Sequence, residues 1–270
     1  MLTCVVNLSE GRRADVLAAL GAAAGPDLLD LHADPHHHRS VLTLAGEAAP
    51  RAVATVAVGA IDLRRHTGVH PRMGAVDVVP FVATGTTTGE EALAARDRFI
   101  AWVAGELRVP AFRYGAHPDG RAGSSLPEVR RTAHGSRRPD AGPAHPHPTA
   151  GAVAVGARPP LVAYNVWLAE PDLAAARRLA ASVRGPAVRA LGLAVGDRAQ
   201  VSMNLVDPLT VGPAAAYDLV AARAPVAGAE LVGLLPAAVL AAIPAARWPE
   251  LDLAEDRTLE SRLARRPAIS

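Results

Sequence analysis

The sequence predicts an α/β chain of the α+β type, folded as two lobes that each carry a mixed β-sheet. Three observations predict it. Short β-rich runs alternate with longer alanine-rich helical patterns from the first residues onward. From Gly115 to Pro148 that alternation is interrupted by a stretch rich in Gly, Pro, Arg, Ser and His, and an irregular segment of such length is usually functional or a linker. After it the alternation resumes with strands and helices of its own. The two lobes are therefore expected to join near residues 145 to 158, with domains at 1–147 and 148–270.

Each element follows from its local pattern. TCVVNLS reads as a first strand ending at Glu10-Gly11, and ADVLAALGAAAG as a helix closed by a C-terminal glycine. DLLDLHA and SVLTLAG read as an antiparallel strand pair joined by the polar connection DPHHHR. Arg51 to Arg64 has helical composition. VDVVPFVAT is a near-continuous apolar run, as expected of a central strand buried on both faces, although Pro80 forfeits a ladder hydrogen bond. EEALAARDRFIAWVAGEL is an amphipathic helix with N-caps on offer at Thr86–Thr88, and VPAFRYG is a further strand. Beyond the irregular segment, GAVAVGA and PLVAYNVWLA read as strands and EPDLAAARRLAASVRG as a helix. RALGLAV and AQVSMNLV form a hairpin turning at Gly196-Asp197. AAAYDLVAARA is a helix, AELVGLLP a strand and PAAVLAAIPAARW a last helix, followed by a charged, partly helical tail.

Composition excludes several classes of function. A chain of 270 residues that is half apolar can bury a real core. Every basic residue is arginine, and the formal net charge is only +2. No basic stripe with interleaved aromatics marks a nucleic-acid surface. The single cysteine, Cys4, excludes an internal disulfide and a cysteine-based zinc cluster. The start MLTCVVNLSEGRR lacks the basic and then long apolar run of a signal peptide, and no apolar stretch reaches membrane-spanning length. A cytoplasmic protein is the expectation.

The segment HTGVHPRMGAVDVVPFVAT, residues 66–84, carries the densest chemistry. His66 and His70 are spaced as a helix would aim two histidines at zinc. Gly68 and Pro71 argue against a helix, and no third ligand sits at a recognisable spacing, so no metal is expected. The segment reads as a loop feeding a central strand, a place where catalytic groups often sit. Histidine there can take and return protons near neutral pH, and Arg72 can hold a carboxylate through paired hydrogen bonds. The other reading leaves both groups solvated at the sheet's rim. The HHH run at 36–38 reads as surface histidines, because neighbours on an extended chain point to opposite faces. SEGRR reads as a tight turn rather than a phosphate loop.

HTGVHPRMGAVDVVPFV closely resembles the signature of the formiminotransferase family. The likeness continues in order through VVNLSEGRR, LLDLHADPHHHRSVLTLAG, HPTAGAVAVGARPPLVAYNVWL, VSMNL, AELVGLLP and TLESRL. The resemblance implies two α/β lobes with helices on their outer faces and a substrate groove between them. It implies transfer of a formimino group from N-formimino-L-glutamate to N5 of tetrahydrofolate, giving 5-formiminotetrahydrofolate and glutamate. That places the chain in one-carbon metabolism and histidine catabolism, with tetrahydrofolate as co-substrate, no metal and a homodimer. The family's catalytic histidine falls on His70. Its folate-binding stretch falls on Gly142, Pro143, His147, Pro148, Thr149, Ala150 and Gly151. Arg39, Arg72 and Arg158, with His32, are the candidates for binding the carboxylate-bearing substrates.

Three positions depart from the family's pattern. Val69 stands where the family usually has glutamate, His32 where it has an acidic residue, and His38 where it has asparagine. Losing a carboxylate beside His70 is expected to lower that ring's proton affinity. The segment from Leu126 to Asp140 is also short and lacks the family's aromatic residues. The departures keep two alternatives open: a folate- or pterin-binding member that no longer catalyses this transfer, or a transferase of a related one-carbon group such as formyl.

Overall fold

The computed structural model describes residues 1–68, 71–116, 123–133 and 135–267. The chain divides into two compact units, Met1–Pro159 and Pro160–Ser270. The sequence reading put the division at 147/148.

In the first unit the order is β1 (Leu2–Leu8), α1 (Ala14–Ala24), β2 (Leu28–Asp34), β3 (Arg39–Ala45), α2 (Ala48–Ala60), β4 (Val76–Ala83), α3 (Gly89–Glu106), β5 (Ala111–Gly115), α4 (Leu126–Thr132) and β6 (Val153–Arg158). The strands form one mixed sheet in the order β2-β3-β1-β4-β6-β5. The pairings from β2 to β4 are antiparallel, and β6 runs parallel to both β4 and β5. Seated between those two strands, β6 belongs wholly to the first unit, and this puts the division after it. Pro80 survives in central β4 because the β1–β4 pairing lapses between Cys4↔Phe81 and Asn7↔Val78. The missing N–H falls where the ladder is already open.

Side chains alternate across the sheet. One face, with Val6, Leu8, Leu42, Leu44, Phe81 and Val155, packs on α1, α2 and α3 in a continuous core. Alanine at Ala54, Ala57 and Ala95 brings those helices close. α3 starts at a capping box in which Thr88 and Glu91 each bond the other's backbone N–H. A second, smaller apolar cluster forms where Val129 and Ala133, in and just after α4, pack with Val78, Phe112, Tyr114 and Ala154. The sequence reading left this helix as irregular chain. Its seven residues form because Ser125 caps Glu128 and Val129 is fully buried.

The second unit contains β7 (Val162–Leu168), α5 (Leu173–Val183), β8 (Val188–Val195), β9 (Arg198–Leu205), α6 (Pro213–Ala221), β10 (Val226–Val232), α7 (Ala237–Ala241) and α8 (Leu259–Ala264). Its sheet, β10-β7-β9-β8, is antiparallel in every pairing rather than mixed. The β8–β9 hairpin turns at Gly196, whose φ of 61° suits glycine, and Asp197. α5 and α6 bury Leu179, Val183 and Val220 with Tyr164, Val166 and Met203 of the sheet. α7 is shorter than its sequence pattern because Pro244 ends the run and leaves only a 3-10 turn at Ala245–Arg247. The α/β class thus holds in both units. No helix among the described residues is long and apolar enough to cross a membrane.

Candidate active site

A cluster of polar groups gathers where β1 ends and β3 and β4 begin. The SEGRR turn is built around its glutamate. Glu10 is 1% exposed, and its Oε1 accepts the backbone N–H groups of Gly11, Arg12 and Arg13 at 2.9, 2.8 and 3.0 Å. Oε2 accepts Arg13 Nε at 2.6 Å. Burial pushes the carboxyl up, but the N–H groups of Arg13 and Arg12 and the Arg13 guanidinium outweigh it and hold Glu10 at about 2. This carboxylate is ionised at any working pH.

The connection DPHHHR is more ordered than its composition suggests. Asp34 Oδ1 accepts the N–H groups of His36 and His37 at 2.7 and 2.9 Å, closing the turn. Oδ2 lies 2.6 Å from His37 Nδ1. Burial opposes ionisation of Asp34, yet the His37 ring and these backbone donors bring it down to about 2. His37 is buried and His38 nearly so, contrary to the expected surface run. His38 directs Nε2 at Glu10 Oε1, 3.1 Å away, and Nδ1 at the Thr67 carbonyl, 2.9 Å away.

The HTG–PRM segment is fastened from several sides. His66 Nε2 donates to the His38 carbonyl at 3.0 Å, and Arg12 donates to Pro35 O and to Thr67 Oγ1 at 2.7 and 3.3 Å. Arg72 Nη1 and Nη2 donate to the carbonyls of Gly68 and His66, each at 3.1 Å. Val69 and His70 lie outside the described residues.

Below this loop, Asp77 occupies the β1–β4 register shift, where Asn7↔Val78 is followed by Leu8↔Val76. A bulge of this kind re-aims a side chain. Asp77, fully buried, accepts Arg39 Nη1 and Arg130 Nη2 at 2.8 and 2.5 Å on Oδ2, and the Met73 N–H at 2.8 Å on Oδ1. Burial alone would raise it, but Arg39 and then Arg130 hold it below the usual carboxylate range. Arg39 also donates to Asn7 Oδ1 at 2.6 Å.

The predicted site residues separate into groups. Arg72 and Arg39 meet through Met73 and Asp77. The His147–Gly151 turn joins them: Leu63 N donates to Thr149 O at 2.8 Å, Ala75 N to Ala150 O at 2.9 Å, and Ala152 N to Met73 O at 2.9 Å. His147 Nδ1 accepts the Ala150 N–H at 3.1 Å, and His147 and Gly151 exchange backbone bonds. Pro148 lies within that turn. Gly142, with φ 92°, sits against Val109 and Pro110 at the start of β5, and Pro143 follows it. His32 pairs with Val41 and so shares the face of Arg39, two residues along. Arg158 pairs with Val82, four residues past Val78, which sets it about 13 Å along the sheet from the Arg39 end. There burial and its neighbour Tyr114 define its surroundings, and burial pushes the Tyr114 hydroxyl up to about 12. Among the described residues no three His, Cys, Asp or Glu side chains are grouped to hold a metal ion.

Glu10, Asp34, Asp77 and Arg130 belong to this cluster, and sequence reasoning missed them. Asp77 had a signal: a lone acid inside the apolar run AVDVVPF must be paired if that strand is buried. Glu10 had only its neighbours Gly-Arg-Arg, and no local pattern names its partner His38.

Anchored carboxylates thus stand beside histidines and arginines at the ends of sheet strands. Residues 1–158 match the family model for the formiminotransferase domain, N-terminal subdomain. The chain is 35% identical to glutamate formimidoyltransferase of Streptococcus pyogenes serotype M1, over 89% of this chain and 90% of that protein. It is 31% identical to glutamate formimidoyltransferase of Thermoplasma acidophilum, over 87% and 88%. With the formimidoyltransferase-cyclodeaminase of Gallus gallus the identity is 34%, over 87% of this chain and 50% of that longer protein. The chain belongs to the formiminotransferase family.

Proposed function

We propose that this enzyme transfers the formimino group of N-formimino-L-glutamate to N5 of tetrahydrofolate, with His70 as its acid/base. The observation that carries the reading is the convergence of two segments distant in sequence. The 63–75 stretch that contains His70 is hydrogen-bonded to the 147–152 turn assigned to folate. In the proposed reaction the N5 amine attacks the amidine carbon and gives a tetrahedral intermediate. N5 then loses a proton, the departing glutamate nitrogen gains one, and the bond from carbon to that nitrogen breaks. One imidazole within reach of both nitrogens can move the proton, and fixing both substrates supplies much of the remaining rate.

Arg72, Arg39 and Arg158 are proposed to meet substrate carboxylates, Arg72 first because it lies two residues from His70 in the sequence. His32 lines the same face. Folate is proposed to meet Gly142, Pro143 and the His147–Gly151 turn, as co-substrate and without a metal. By the same analogy the protein works in the cytoplasm as a homodimer, in histidine breakdown and one-carbon supply. Sedimentation of the purified chain tests the dimer.

The deciding assay follows absorbance of 5-formiminotetrahydrofolate in wild type and His70→Ala. Turnover that falls at least about a hundredfold in the variant, with folate binding kept, supports the reading. A well-folded wild type that binds folate without transfer favours the binding-protein alternative, and turnover with a formyl donor alone favours the related transferase. His38, bonded to Glu10 where the family has asparagine, is the observation that keeps those alternatives in the assay.

A further inference from the structure

One residue fastens the β2–β3 turn to the segment at 66–68. His38 places Nε2 3.1 Å from Glu10 Oε1 and Nδ1 2.9 Å from the Thr67 carbonyl. Its own carbonyl accepts His66 Nε2 at 3.0 Å, and the two rings stack with centroids 3.9 Å apart and planes 13° apart. Its backbone sits at φ 53°, a left-handed conformation that histidine and asparagine enter more readily than most side chains. Both ring nitrogens face oxygens that can only accept: an ionised carboxylate and a carbonyl. The ring therefore makes both bonds only with a proton on each nitrogen. A neutral ring would turn a lone pair on one of them. Burial lowers the proton affinity of His66, and His38 and Arg72 lower it further, against the pull of the His38 carbonyl and Glu10.

We propose that His38 is a positioning residue for formimino transfer. Through both ring nitrogens it clamps the 66–68 segment, whose carbonyls hold Arg72 and which leads in sequence to His70, against the Glu10 turn. The proposal rests on the functional reading above. The charged and titratable groups facing the clamp are Glu10, Arg12 and Arg13 from the β1 end, Asp34 and His37 from its own turn, and His66 and Arg72 from the facing segment.

The test compares wild type with His38→Phe, which keeps the stack but neither ring bond, and His38→Asn, which can donate to Glu10 and does not titrate. His38→Phe is expected to lose about tenfold to a hundredfold in kcat/KM, mostly in kcat. His38→Asn is expected to recover most of that kcat. Hydrogen exchange across residues 66–68, read without substrate, is expected to rise at least about tenfold in His38→Phe. Unchanged exchange overturns the clamp. Faster exchange with unchanged kcat, or no recovery of kcat in His38→Asn, overturns the positioning role. A wild type without transfer activity overturns the functional reading and that role together, while the exchange result still decides the clamp.

Discussion

Glu10 is the residue on which the cluster depends. It binds three backbone N–H groups, a guanidinium and an imidazole with one carboxylate. Replacing it by alanine takes the acceptor from the three backbone N–H groups and from the largely buried His38 ring. Glu10→Ala is expected to lower stability by about 3 kcal/mol or more, measured by urea unfolding. Asp77 differs because its partners are two arginines. Asp77→Asn leaves both cations facing a neutral amide in a buried site, a loss of about 3–5 kcal/mol by the same measurement. An equal loss of stability from Arg158→Ala would contradict the special status given to the Asp77 network. At this scale the motif around His70 is legible in the sequence through its resemblance, and so are Arg72 and the 147–151 turn. The pairs Glu10–His38 and Asp77–Arg130 are not, because each joins residues whose separation along the chain carries no periodic signal.

The elements were largely legible because their signals are local. Alternation and turn residues place β1 to β3 and the β8–β9 hairpin. The threonines at 86–88 announce α3, and Thr88 and Glu91 do form its capping box. Thr88→Ala is expected to destabilise the protein by about 1 kcal/mol, with faster amide exchange confined to the first turn of α3. Uniform exchange changes through the sheet would instead mean that Thr88 acts through tertiary packing. Partner choice was not legible. GAVAVGA reads as a strand, but its place between β4 and β5 depends on parallel crossovers that no short window encodes. The same gap explains α4: seven residues held by one cap and one buried valine give too little periodicity to stand out.

Across the whole chain, anchored carboxylates are unevenly shared between the two units. Glu10 and Asp34 are held at about 2, and Glu47, Asp77 and Asp97 are also lowered, all in the first unit. In the second unit Asp218, held by Arg247, is lowered on the exposed surface, where an ion pair contributes little. A carboxylate whose folded value lies below its unfolded one stabilises the fold above the unfolded value, about 4 for such groups. That contribution disappears as the pH falls through the folded value. Glu10 and Asp34 each contribute on the order of 2–3 kcal/mol at neutral pH by this linkage, so the loss is concentrated between about pH 4 and 2. The first unit is therefore expected to unfold in acid before the second. The tryptophans report on them separately, since Trp102 lies in α3 of the first unit and Trp167 and Trp248 lie in the second. In an acid titration, Trp102→Phe should leave a fluorescence transition at lower pH than the one seen with Trp102 as the only tryptophan. Adding Glu10→Gln should move the Trp102 transition toward neutral pH and leave the other in place. Coincident transitions in all variants would mean that the two units unfold as one, with the carboxylates of the first setting the stability of both.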